Sequence, residues 1–199
     1  PICVTAVVTL PDTDPAIDDA SVLEFVARRA RDVKLVKVFA YATVTRNADS
    51  DEIVEMGLLK QAGAVAFTNG RSAVANAKTL SRALKYALAF DALIVQHPEE
   101  ASLSNGGVMQ SGELATRLGL PGIPREAETI MIDRDLALVK MTGGRYHAAH
   151  ISTAESVAKI RAAKADGLRV TCDTAPPYFA LNELAVGEYR TFAKLSPPL

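Results

Sequence analysis

Residues 93–97 read Leu93-Ile94-Val95-Gln96-His97, an apolar run that closes on an amide and an imidazole. Strand alternation sets His97 on the same face as Val95 and Leu93. Further on, Tyr146-His147-Ala148-Ala149-His150 repeats the design. There the alternation places His150 on the face of Tyr146 and Ala148, with His147 opposite, packed toward a helix layer. Working outward, the same kind of run predicts strands at Ile2–Thr9, Leu35–Val44, Ala64–Thr68, Leu93–His97, Tyr146–His150 and Leu168–Thr174. Helical spacing predicts helices near Asp19–Arg31, Asp51–Ala62, Asn76–Phe90, Glu126–Met141 and Ala154–Ala165, with a short one near Ser111–Leu118. In Ala154–Ala165 the apolar positions Val157, Ile160 and Ala163 keep helical spacing, and Gly167 supplies the stop.

Strands alternating with helices predict βαβ units and a parallel sheet. Two α/β architectures compete, a doubly wound sheet and an eight-stranded barrel. The sequence has no G-x-G-x-x-G or P-loop pattern to favour a nucleotide-binding doubly wound sheet. Gly106-Gly107 and Gly143-Gly144 read as turns and helix stops. The barrel is favoured by the residues collected at the strand ends: Asp12, Thr43, Thr45, Thr68-Asn69, His97, His150 with Ser152, and Asp173-Thr174. Barrel enzymes draw their catalytic groups from the C-terminal ends of several strands.

With 22 Lys and Arg against 23 Asp and Glu, the charge is nearly balanced. That excludes an electrostatic case for nucleic acid or an anionic membrane. No apolar run reaches the roughly 18–20 residues of a membrane span, and no basic-then-apolar leader opens the chain. Cys3 and Cys172 form no C-x-x-C pair and suit a reduced, cytoplasmic setting as small apolar residues. The apolar opening at Pro1 and the stop at Pro197-Pro198-Leu199 suggest a piece of a longer chain.

Two imidazoles at strand mouths could hold a divalent metal, with zinc first on ligand type, or they could be hydrogen-bonded surface histidines. Asp18-Asp19 reads as the N-cap of the following helix. Asp133 and Asp135 read as the solvated face of a charged helix. Glu99 and Glu100 are either solvated or a second layer behind His97.

Several stretches together resemble the larger bacterial dihydroorotases. They are residues 97–100 (HPEE) through Gly107-Val108-Met109, residues 117–128 (RLGLPGIPREAE), residues 145–153 (RYHAAHIST), residues 63–68 (GAVAFT) and residues 194–199 (KLSPPL). The resemblance runs over the whole chain in one register. It implies an amidohydrolase of the (β/α)8 type, residues 1–199 supplying the centre of one barrel domain, strands two to seven. It also implies one or two zinc ions, with His97 matching the fifth-strand ligand and His150 the sixth-strand ligand. Asn69 stands where the family has a bridging acid or modified lysine. The first-strand His-x-His pair and the proton-shuttling eighth-strand Asp are expected to lie outside the chain, which leaves no catalytic acid/base within it.

The implied reaction interconverts dihydroorotate and carbamoyl aspartate in pyrimidine synthesis. The implied partners are that small-molecule substrate, other copies in a homo-oligomer, and in one variant of the family aspartate transcarbamoylase. The sequence departs from the family pattern at three positions. Asn69 has no negative charge with which to bridge two dications. Asp12, in Leu10-Pro11-Asp12-Thr13, replaces a substrate-binding Asn, and Ser196 replaces another. A carboxylate at Asp12 would face an anionic substrate, and two like charges about 4 Å apart repel by roughly 4 kcal/mol at an effective dielectric of 20. A family run of Thr-Pro-His-His is here Ala175-Pro176-Pro177-Tyr178. These departures predict a degenerate homologue with weak or absent catalysis. A non-catalytic structural partner, and a hydrolase of a neutral or cationic cyclic amide, are the rival expectations.

Overall fold

The computed structural model describes residues 4–199. Cys3 and the opening of the predicted first strand lie outside the described residues. The chain divides into two compact units, residues 1–97 with 138–147, and residues 98–137 with 148–199.

In the first unit, β1 (Ala6–Thr9) pairs in parallel with β2 (Lys37–Ala40), in the register Ala6 to Lys37 through Thr9 to Ala40. The predicted strand at Ala64–Thr68 is realised as a hydrogen-bonded bridge segment. Phe67 pairs in parallel with Ala42 on one side and with Ile94 of β3 (Leu93–Gln96) on the other. The Val65 and Thr68 N–H groups donate to Ala40 and Ala42, and Phe67 exchanges bonds with Leu93 and Val95. β6 (Arg145–Ala148) lies beside β3. Strands therefore follow one another in sequence order from β1 to β3, as parallel βαβ connections require.

Burial rises along that order. β1 is exposed over most of its length, with Val7 and Val8 both open, whereas Ile94, Val95 and Gln96 of β3 are buried. A parallel strand covered on both faces reads as a continuous apolar run, and β3 is one.

Helix α1 (Ala20–Val33) starts at Asp19, whose carboxylate accepts the Ser21 N–H at 2.7 Å. That satisfies a backbone donor left open at every helix start. Helix α3 (Ala77–Leu88) starts at Asn76, whose side chain accepts from Lys78 and Thr79. Its Leu80, Ala83, Leu84 and Ala87 form one buried stripe. Burying the two leucines contributes roughly 1.5–3 kcal/mol each. Gly144, just ahead of β6, fits against this stripe because any Cβ there would lie 2.9 Å from Leu84 Cδ2.

Helix α2 runs only from Met56 to Gln61, shorter than the predicted Asp51–Ala62. The residues before it are extended, with Thr45 bridging Ile53 antiparallel and the Val54 N–H donating to Val44. A backbone spent on sheet-like pairing cannot also form the helical ladder.

In the second unit, α4 (Ala101–Ser104), β4 (Met109–Gln110), α5 (Glu113–Leu118) and β5 (Gly122–Ile123) follow one another. β4 and β5 form a parallel pair the sequence did not announce. Gly107 permits it, since a Cβ there would come within 2.2 Å of Ile123 Cγ1. Met109, Ala115 and Val186 form a small core with Leu114, Leu118 and Leu120 around it. Helix α6 (Glu126–Thr142) passes from the second unit into the first, and Gly143, at φ 75°, ends it.

Helix α7 (Ala154–Ala165) begins at Thr153, whose hydroxyl accepts the Ser156 N–H. β7 (Val170–Cys172) and α8 (Pro176–Ala180) follow, then two short 3-10 helices at Glu183–Val186 and Thr191–Ala193, and α8 was not expected from the sequence.

The expected solvated face of α6 needs correction. Asp133 is exposed and pairs with Lys159, but Asp135 is fully buried, 2.7 Å from Arg134 Nη2. A carboxylate leaves water at tolerable cost when a guanidinium accompanies it, and Arg134 does so here. No helix among the described residues is long and apolar enough to cross a membrane.

Candidate functional site

The first unit gathers polar groups at the C-terminal ends of β2, the 64–68 segment and β3. Thr43, Thr45, Thr68, Asn69, Gln96 and His97 are all buried there. Buried polar groups need partners, and three of these serve the backbone. Gln96 Oε1 accepts the Val74 N–H at 3.1 Å, and Thr68 Oγ1 accepts the Gly70 N–H.

Asn69 is the most committed of them. Its Oδ1 accepts the N–H groups of Val44 (3.0 Å) and Thr45 (3.2 Å), and its Nδ2 donates to Thr45 Oγ1 at 2.9 Å. The position read from the family resemblance as a doubtful metal bridge therefore clasps the loop that follows β2. Asn69 also borders a cleft of about 380 Å³ with Asp49, Asp51, Ser72 and Asn76. Asp51 is in turn occupied by Asn76 Nδ2 and Thr79 Oγ1.

Asp12, beyond β1, does not stand alone. Its Oδ2 lies 2.9 Å from Arg71 Nε. The isolated-charge repulsion expected from the sequence does not describe it, because a guanidinium adjoins the carboxylate and cancels much of its field. His97, directly after β3, is 3% exposed.

In the second unit, β6 ends at Ala148 and His150 sits in a left-handed turn at φ 51°. The alternation used to orient His150 from the sequence therefore stops two residues short of it. Its direction comes instead from Asp173, just past β7. The Asp173 carboxylate accepts the His150 N–H, and His150 Nδ1 stands 3.5 Å from Asp173 Oδ1. The Asp173 carboxylate thus stands beside one ring nitrogen of His150 as well as its backbone N–H. The Ala148 carbonyl accepts from Asp173 N–H, and Ile151 N–H donates to the Asp173 carbonyl, so the turn is tied to β7 on both sides.

Glu128, on the first turn of α6, is 5% exposed and holds the next residues of the same loop. Its two oxygens accept from the N–H and hydroxyl of Ser152 and of Thr153, four bonds between 2.8 and 3.1 Å. Burial, then the negative charges of Glu128 and Glu99, push the Tyr178 phenol up to about 12. Ser196 is exposed, and its hydroxyl donates to Glu99 at 3.1 Å. Glu100 caps α4 through the Ser102 N–H and hydroxyl, and those bonds hold its carboxyl below the usual range. A cleft of about 380 Å³ is lined by Ile151, Val157, Cys172, Asp173, Tyr178 and Phe179 among others. Burial raises the Cys172 thiol, which keeps it protonated and poorly nucleophilic at neutral pH.

Glu128 and Arg71 are the residues that sequence reasoning did not single out. Glu128 reads as one more first-turn acid, and its partners lie 24 and 25 residues away. Arg71 meets Asp12 across 59 residues.

Among the described residues no three His, Cys, Asp or Glu side chains gather as a metal site. A zinc site needs at least three protein ligands, and the amide of Asn69 is already spent on Val44 and Thr45. The residues present do not fit a zinc centre on their own.

A profile of a family described as dihydro-orotase-like matches residues 2–156. A protein of Syntrophus aciditrophicus (strain SB) named dihydroorotase is 43% identical over 195 residues, covering 98% of this chain and 46% of the relative. One of Pelotomaculum thermopropionicum with the same name is 44% identical over 196 residues, covering 98% and 45%. The chain thus spans about half the length of the curated relatives it matches. Among solved structures, the L-hydantoinase (dihydropyrimidinase) of Arthrobacter aurescens superposes with a TM-score of 0.79 at 21% identity, over 98% of this chain and 45% of that one. The dihydropyrimidinase of Brevibacillus agri gives 0.70 at 20% identity, over 98% and 44%. At those identities the likeness is one of fold.

Proposed function

Because the chain belongs to the dihydro-orotase-like family, we propose that it contributes strands two to seven of a (β/α)8 cyclic-amide hydrolase whose catalysis is weak or absent in this chain. The substrate class is a ring amide such as dihydroorotate, opened to carbamoyl aspartate. In that reaction the oxygen of water bonds to the ring carbonyl carbon, the carbon–nitrogen bond breaks, and the leaving nitrogen takes a proton. The chain's part is positional. Asn69 fixes the loop after β2, while Glu128 and Asp173 fix the loop that carries His150, Ser152 and Thr153.

The observation that carries this reading is the use made of Asn69. Both ends of its amide are committed to the loop after β2. At the position where the resemblance calls for a charged bridge between metals, the side chain is a neutral structural clasp. Zinc belongs to the reading by family only. No step is assigned to it, since the donors present do not assemble a site.

Ring opening followed by loss of dihydroorotate absorbance, with and without added zinc, tests the reading. The expected result is no turnover above the uncatalysed background in either case. Zinc-dependent turnover well above background refutes it.

The same clasp favours a second reading, a non-catalytic member that serves as a structural partner of aspartate transcarbamoylase. Co-sedimentation with that enzyme separates the two readings, and sedimentation of the chain alone reports whether it forms a homo-oligomer. A neutral clasp at a metal-bridging position is what a scaffold retains once chemistry is no longer required of it.

A further inference from the structure

We propose that Arg71 is a carboxylate-receiving residue at the strand-end mouth of the first unit, with Asp12 as the group that positions it. The nature of the ligand rests on the cyclic-amide reading above, whereas the geometry does not.

The two members of the pair are unequally exposed. The Asp12 side chain retains 26% of its accessible surface, and the Arg71 side chain 82%. An ordinary surface ion pair leaves both partners in water and contributes little. Here the acid lies against the backbone and the base faces outward. Gly70 makes this possible. It adopts φ 73°, and a Cβ on it would lie 2.9 Å from Asp12 Cγ. The Asp12 carboxyl group therefore rests on the bare Cα of Gly70, immediately before Arg71. Asn69, one residue earlier, is fixed by its three bonds to the loop after β2. The Asn69-Gly70-Arg71 turn is thus held from both sides.

Asp12 engages the guanidinium through Nε at 2.9 Å. A guanidinium carries five N–H donors in a planar fork, and its terminal nitrogens match the spacing of a carboxylate. No described residue takes a hydrogen bond from Nη1 or Nη2 of Arg71. Holding Nε fixes the plane of the fork and leaves its terminal edge for a ligand. A carboxylate arriving there makes charge-assisted bonds, which are about twice as strong as neutral ones. An uncharged cyclic amide gains nothing comparable. Asp12 is therefore an anchor for a guanidinium whose free donor edge can bond the substrate's carboxylate, which removes the repulsion expected from Asp12 alone.

The test is calorimetric titration of the whole chain with dihydroorotate, with carbamoyl aspartate, with uncharged hydantoin and with acetate, for the wild type, Arg71→Gln, Arg71→Lys and Asp12→Asn. Arg71→Gln should weaken dihydroorotate and carbamoyl aspartate about tenfold, and leave hydantoin binding and the unfolding midpoint unchanged. Arg71→Lys should recover part of the loss, and Asp12→Asn should weaken the same two ligands by releasing the guanidinium. Acetate binding as tightly as dihydroorotate would show a nonspecific anion site and overturn the assignment. Equal effects of Arg71→Gln on hydantoin and dihydroorotate, or no wild-type binding at millimolar concentration, would also overturn it. Binding without ring opening leaves the carboxylate site standing and bears only on the catalytic reading.

Discussion

Replacing Asn69 with Leu tests the clasp most directly. The substitution keeps the side chain's approximate volume and removes every polar atom. The Val44 and Thr45 N–H groups lose their acceptor, and both residues are fully buried. Each buried donor left unmade costs about 1–3 kcal/mol, so the pair costs roughly 2–6 kcal/mol. Leucine also keeps water from filling the gap, which points to about 4 kcal/mol. That is a large share of the 5–15 kcal/mol by which most domains are stable. Asn69→Asp should be milder, at about 1–2 kcal/mol. Its carboxylate still accepts both N–H groups and the Thr45 hydroxyl can turn to donate, but a charge is buried. Urea unfolding followed by far-ultraviolet circular dichroism reads these values. With a slope of about 2 kcal/mol per molar, the Leu variant's midpoint should fall by about 2 M. Amide exchange at Val44 and Thr45 should quicken in the same variant, which localises the effect. A Leu variant with an unshifted midpoint, or an Asp variant less stable than the Leu variant, would refute the clasp.

Glu128→Ala should destabilise the second unit by about 3–5 kcal/mol, because it removes four bonds to a buried carboxylate, while Glu128→Gln should cost less; urea midpoints check the order. The Tyr178 phenol should ionise at about 12 in a spectrophotometric titration, a step absent in Tyr178→Phe and shifted downward in Glu128→Gln. The folded pKa exceeds an unfolded value of about 10, so the unfolded chain loses its proton first. That contribution to stability is complete below pH about 10 and is lost as pH rises toward 12. Equilibrium dialysis should find at most one weakly held zinc per chain, and two tightly held ions would contradict the donor geometry.

The elements set by near neighbours were legible in the sequence. Asp19 and Asn76 announce the starts of α1 and α3 because a cap acts over two or three residues. The spacing of Val157, Ile160 and Ala163, with Gly167 beyond, predicts α7 at the limits the structure gives it, Ala154–Ala165, with Ile160 and Ala163 buried and Val157 exposed. The apolar run at Leu93–Gln96 marks a strand buried on both faces, and the resemblance carried by residues 117–128 points to the family. None of these readings needs to know which distant segment lies alongside.

Tertiary structure decided the rest. Asn69 meets Val44 across 25 residues, Asp12 meets Arg71 across 59, and Glu128 meets Ser152 across 24. Helix α2 starts late because Val54 pairs with Val44, and Asp135 is buried with Arg134 where helix pattern alone suggested solvent. His150 takes its direction from Asp173, not from strand alternation. A side chain's local spacing fixes which face it occupies, but its charge balance and hydrogen-bond partners depend on the segments folded against it. For that reason α1, α3, α7 and the family could be read in one dimension, while the roles of Asn69, Asp12 and Glu128 exist only in three.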